Sequence, residues 1–177
     1  MTTQKEDKLL ILLVSDIHES IESINKLAAY CQENSINADY IFCLGDILDI
    51  TQDSQEDQAL YEEKLPILKN ILLSLEKICP KLIYLPGNHD PMNLFKVENS
   101  PKITENSINL HLKSHMIKDD LLLVGIGGAT CSIYSENELY HTYKNLKRSV
   151  NENTKRTQKE KKINIELNKE KNKSPAI

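Results

Sequence analysis

The sequence predicts an α/β protein built on a parallel sheet, and three runs carry that prediction. "KLLILLVSD" (8–16), "DYIFCLGD" (39–46) and "KLIYLPGN" (81–88) are continuous apolar stretches that end in polar residues. A strand buried on both faces of a sheet reads this way, whereas a half-exposed strand alternates. Segments with helical spacing lie between the runs, so strand, helix, strand, helix, strand follow within about 80 residues, the signature of right-handed crossover units.

After the first strand, Ile21, Ile24, Leu27, Ala28 and Cys31 recur at steps of three and four from Ser20, and Asn34 offers a stop. That pattern predicts an amphipathic helix. After the second strand and the acidic loop "TQDSQEDQ", a helical segment runs from about Glu56 to Ile78, with Pro66 expected to break it. Beyond the third strand, short strands near "SINLHL" and at "LLLVGIGG" read as a hairpin or a step between sheets, followed by a helix from about Glu136.

The chain of 177 residues suits one domain with its own core, and 40% hydrophobic with 27% charged residues is ordinary for a globular protein. Its net charge of −4 conceals an asymmetry: residues 144–177 hold eleven Lys or Arg against four Glu, leaving −11 for residues 1–143. The Lys- and Asn-rich segment 144–177 has few apolar residues and is expected to be a disordered tail or a frayed helix outside a domain of residues 8–143. An acidic body argues against general nucleic-acid binding and suits a protein that holds cations.

Cys31, Cys43, Cys79 and Cys131 are far apart, with no CxxC pair, and read as reduced, buried thiols. The run "LLILLV" is too short to span a membrane and lacks a small-residue cleavage site. A cytoplasmic protein without membrane association is expected.

The three strands end in "VSDIHE", "LGDILD" and "LPGNHD", which brings Asp16, His18, Asp46, Asp49, Asn88, His89 and Asp90 to the carboxyl edge of the sheet. In open α/β sheets ligands bind at that edge. Asp, His and Asn supply hard or borderline oxygen and nitrogen donors without thiolate, a set suited to Mn, Fe, Zn or Mg. Gly45 and Gly87 precede Asp46 and Asn88, where the chain must turn sharply and approach a ligand. Each motif alone also occurs as a cap or a turn; the three in this order, each on a buried strand, favour one shared site.

These motifs, DxH, GDxxD and GNHD, resemble those of the calcineurin-like metallophosphoesterases over roughly residues 8–140, including the glycine-rich strand "LLLVGIGGA". The resemblance implies an α/β/β/α sandwich, a dinuclear centre of two divalent ions (Mn, Fe or Zn) and hydrolysis of a phosphate-ester substrate. By position, Asp16 and His18 would ligate one metal, Asp46 would bridge both and Asn88 would ligate the second. His89 would contact the phosphate and protonate the leaving oxygen, Asp90 would orient His89, and Asp49 would support the ligands from behind. Members also carry a strand ending in His and a GHxH pair, which this chain lacks; its remaining histidines, His111, His115 and His141, read as surface or packing residues. The matched part is therefore expected to be the N-terminal portion of such a domain, either a hydrolase or a non-catalytic metal- or phosphate-binding module.

Overall fold

The computed structural model describes residues 8–50, 58–91, 94–95, 102–128, 144, 147–148 and 150–159. These fall into two compact units, one comprising residues 1–111 and 126–133, the other residues 112–125 and 134–177.

The first unit holds a four-stranded sheet of β1 (Ile11–Val14), β2 (Tyr40–Leu44), β3 (Leu82–Leu85) and β4 (Ser107–Asn109), in that spatial order. All three pairings are parallel, with Leu13 opposite Phe42, Phe42 opposite Ile83 and Ile83 opposite Ile108. Helices α1 (Ile21–Glu33) and α2 (Gln58–Ile78) form the first two crossovers. Because the strand order is sequential, right-handed crossovers put both helices on one face of the sheet. The core confirms that placement: Ile24 of α1 and Leu68, Ile71, Leu72 and Leu75 of α2 cluster with Ile41, Cys43, Leu82 and Tyr84 of the sheet. On the opposite face Leu13 and Leu44 remain 62% and 48% exposed.

Local chemistry explains the helix ends. Ser20 caps α1, its Oγ accepting from the Ser23 N–H at 3.2 Å, and Asn34 closes the helix with its N–H donating to the Tyr30 carbonyl. The expected break at Pro66 does not occur, since α2 continues through it. An interior proline costs about 3 kcal/mol. Leu68, Ile71, Leu72 and Leu75 are fully buried, and burial contributes about 1.5–3 kcal/mol for each such side chain, which outweighs the cost.

The strand at "SIN" also departs from expectation, for it pairs parallel with β3 and extends the main sheet instead of forming a hairpin. The hairpin lies in the second unit, between β5 (Lys113–Lys118) and β6 (Leu121–Gly125), which pair antiparallel. β5 leaves little trace in the sequence because "KSHMIK" carries too few apolar residues to read as a buried strand. In the same unit residues 150–159 are helical, and the Asn153 side chain donates to the Ser114 carbonyl and to its Oγ, both at 2.8 Å. The helix expected from about Glu136, together with His141, Cys131 and residues 160–177, lies outside the described residues. Cys31, Cys43 and Cys79 are free and buried, and burial pushes the Cys43 thiol up to about 12.

Candidate metal centre

The parallel pairing of β1 with β2 continues past the ends of the strands. The Asp16 N–H donates to the Gly45 carbonyl at 3.2 Å, His18 N–H to the Asp46 carbonyl at 3.0 Å, and Glu19 N–H to the Ile47 carbonyl at 3.0 Å. The two motif loops are thereby laced together by backbone. Asp16, His18, Glu19 and Asp46 all adopt positive φ, between 45° and 61°. Such backbone is sparsely populated for residues other than glycine and clusters at functional sites.

The loop after β3 docks on the same edge through close glycine contacts. A Cβ on Gly45, whose φ is +102°, would lie 2.6 Å from the Gly87 Cα, and one on Gly87 would lie 2.0 Å from Asp46 Oδ1. The absence of both side chains lets the third motif approach the second. Once there, the His89 N–H donates to Asp46 Oδ1 at 3.0 Å and fixes the carboxylate.

Asp16, His18 and Asp46 each present a ligand atom within 4.8 Å of the others. Asn88 joins Asp16 and Asp46 in lining a crevice of about 200 Å³, closed by Gly127 and Gly128 and walled by Leu44, Leu85 and Ile126. His18, Asp49 and His89 form a second convergent group. Asp49 Oδ1 lies 3.5 Å from His18 Nδ1 and 3.4 Å from His89 Nδ1, with the two rings edge to face at 5.0 Å. The His89 Nδ1 is buried without a hydrogen bond; its approach to Asp49 is an electrostatic contact, too long for a well-formed bond. Two carboxylates, an imidazole and a carboxamide at one strand edge, with no thiolate among them, form a donor set that fits divalent cations.

The structure corrects the role expected for Asp90. Its carboxylate is fully buried and accepts from the backbone N–H groups of Leu48 (2.7 Å), Ile47 (3.2 Å) and Gly87 (2.7 Å). It thus ties the second motif loop to the third, and the carboxylate beside His89 is that of Asp49. Burial, chiefly, raises the Asp90 carboxyl above the usual range; the three N–H donors oppose the shift and the Asp46 charge adds to it.

Of the two roles expected for His111, surface or packing, the structure shows packing in the interior. It follows β4, is 2% exposed, and its Nδ1 accepts from the Gly127 N–H at 3.1 Å. The Gly128 N–H donates to the Pro86 carbonyl at 2.7 Å, so the glycine loop that closes the crevice is held from two sides. The signal available in the sequence was the strand near "SINLHL" that runs up to His111, expected as part of a hairpin or a step between sheets and found as a parallel strand. His115 lies on β5 in the other unit, where burial lowers its pKa. Glu19 was also missed: its Oε1 accepts from the Asp49 N–H at 3.2 Å and from Lys64 Nζ at 2.6 Å.

The model of the family described as calcineurin-like phosphoesterase matches residues 9–175, and the chain belongs to that family. One solved crystal structure shares 17% identity with it at a TM-score of 0.54, over 72% of this chain and 56% of that one. Another, TT1561 of Thermus thermophilus, shares 16% identity at a TM-score of 0.49, over 74% of this chain and 54% of that one. The chain thus spans little more than half the length of these solved chains. No curated protein matches it. Among the described residues, no helix is long and apolar enough to cross a membrane.

Proposed function

We propose that this chain hydrolyses phosphate esters at a dinuclear metal centre held by Asp16, His18, Asp46 and Asn88. The observation that carries the reading is the convergence of Asp16, His18 and Asp46 within 4.8 Å at the carboxyl edge of a parallel sheet, in a chain of the phosphoesterase family. Bound divalent ions would supply Lewis-acid stabilisation of the phosphoryl oxygens and acidify an attacking water. The side chains do the remaining work. Asp46 is held by the His89 N–H and cannot swing away from its neighbours. His89 supplies the proton that the leaving oxygen needs, and the carboxylate of Asp49 lies 3.4 Å from its Nδ1, where it can orient the ring.

The test is direct: measure Mn, Fe and Zn in the purified chain, then assay a phosphomonoester and a phosphodiester, with Asp46→Asn as the control. Metal-dependent turnover that Asp46→Asn abolishes is the expected result. A chain without metal and without Asp46-dependent turnover overturns the reading.

A second reading is a metal- or phosphate-binding module without turnover, favoured by His18 being the single imidazole in the group it forms with Asp16 and Asp46. It predicts binding of one metal through Asp16, His18 and Asp46, and no hydrolysis of either ester.

A further inference from the structure

Asp49 faces both imidazoles of the centre, yet its own side chain is 63% exposed, so side-chain packing does not hold it in place. What fixes it is its backbone. The Asp49 N–H donates to Glu19 Oε1 at 3.2 Å, and the same oxygen accepts from Lys64 Nζ at 2.6 Å. Lys64 comes from α2, and its side chain is only 12% exposed, against 25% for Glu19. A pair this sheltered is screened less by water than a surface pair, and breaking it leaves a sheltered charge without its partner. Glu19 is anchored by its main chain as well, since its N–H donates to the Ile47 carbonyl. Its φ of 61° turns the chain at this point, directly after His18.

We infer that Glu19 and Lys64 are positioning residues that act through Asp49 on His89. Lys64 orients the Glu19 carboxylate, Glu19 anchors the main chain of Asp49, and Asp49 in turn sets the imidazole of His89. The chain of contacts crosses from α2 to the loop after β1, then to the loop after β2, and ends at the residue after Asn88. None of these steps needs a metal to be present. The consequence for chemistry rests on the proposed role of His89 as a proton donor.

The experiment compares two esters and four variants of the full chain. An alkyl phosphate needs its leaving oxygen protonated, whereas p-nitrophenolate departs with little help, so loss of a well-placed acid acts unequally on the two. Glu19→Ala is expected to lower kcat about tenfold on the alkyl ester against about twofold on p-nitrophenyl phosphate, with KM little changed. Glu19→Gln keeps an acceptor for the Asp49 N–H and is expected to lose less. Lys64→Met should reproduce part of the Glu19→Ala pattern, and Lys64→Arg should restore most of it. Equal losses on both esters would mean a purely structural role and would overturn the inference.

If the wild-type chain turns over neither ester, the hydrolase reading fails, and the positioning inference is decided by nitrogen-15 NMR of His89 at one fixed pH. A changed environment of the His89 ring in Glu19→Ala supports it; an unchanged ring overturns it. Should Glu19→Ala fail to fold, as judged by circular dichroism, Glu19→Gln and Lys64→Met carry the same comparisons.

Discussion

Replacing Gly87 by alanine should disable the metal centre while leaving the fold in place. Gly87 does not have positive φ, so alanine is acceptable to its backbone, and the reduced freedom of the unfolded chain would by itself stabilise by about 0.4–1 kcal/mol. The space, however, is taken. The new Cβ would lie 2.0 Å from Asp46 Oδ1, 2.8 Å from its Cγ and 2.3 Å from its backbone nitrogen. Ordinary contacts begin about 1 Å or more further out, so the carboxylate must retreat by roughly that much. Metal–oxygen bonds tolerate only about 0.2 Å, and a displacement near 1 Å costs on the order of 100-fold in a reacting site. Overpacking against the Asp46 backbone adds about 1–3 kcal/mol of destabilisation, a fall in Tm of about 2–12 °C for a chain of this size. The assay is metal titration by calorimetry alongside a thermal melt, with Gly127→Ala as the comparison. There the clash is with Pro86, at 2.4 Å from its Cδ, and not with a ligand. Gly87→Ala should weaken metal binding by at least about tenfold, and Gly127→Ala should lower Tm with a much smaller effect on metal. Equal metal affinity in Gly87→Ala and wild type would refute the geometry that places Asp46 at the centre.

Three further outcomes are expected. Ser20→Ala removes the cap on α1 and should cost about 1 kcal/mol, a Tm shift of about 2–4 °C by calorimetry, without altering metal binding. Leu72→Ala opens the fully buried core between α2 and the sheet and should cost about 2–5 kcal/mol in urea melts. At alkaline pH the thiol of Cys43 controls a loss of stability: burial lifts it from 9.0 to about 12, so its contribution is full below pH 9 and disappears as pH rises through about 12. The buried Tyr84 hydroxyl, also raised by burial, acts in the same direction, and Cys43→Ala should flatten the alkaline limb of a stability–pH curve only in part.

The strands and the first helix were legible because each depends on local pattern. Apolar runs announced β1, β2 and β3, and Ser20 with its three-and-four spacing announced α1. Pro66 misled because tertiary burial overrides a local penalty, and β4 was misassigned because three residues carry too little pattern to choose between parallel and antiparallel partners. At the site, the residue types and their edge were readable, since strand ends fix position along the chain. Which carboxylate faces which imidazole was not readable. Asp90 is adjacent to His89 in sequence, yet a turn sends its side chain inward to three backbone N–H groups, while Asp49 arrives from forty residues away. Glu19 gave no sign at all, because its partners Asp49 and Lys64 meet it only in the folded chain.

The left-handed backbone at Asp16, His18 and Asp46 narrows the alphabet of this centre from a second direction. Beyond glycine, the residues most at ease with that conformation are Asn, Asp and His. Two of those three, Asp and His, are also side chains that hold divalent cations, through hard oxygen and borderline nitrogen respectively, and the third is a neutral near-copy of Asp. Turn geometry and coordination chemistry therefore accept the same few letters at positions 16, 18 and 46. One practical result is that asparagine removes the charge at residue 16 or 46 without disturbing the turn, whereas valine or isoleucine would damage both at once.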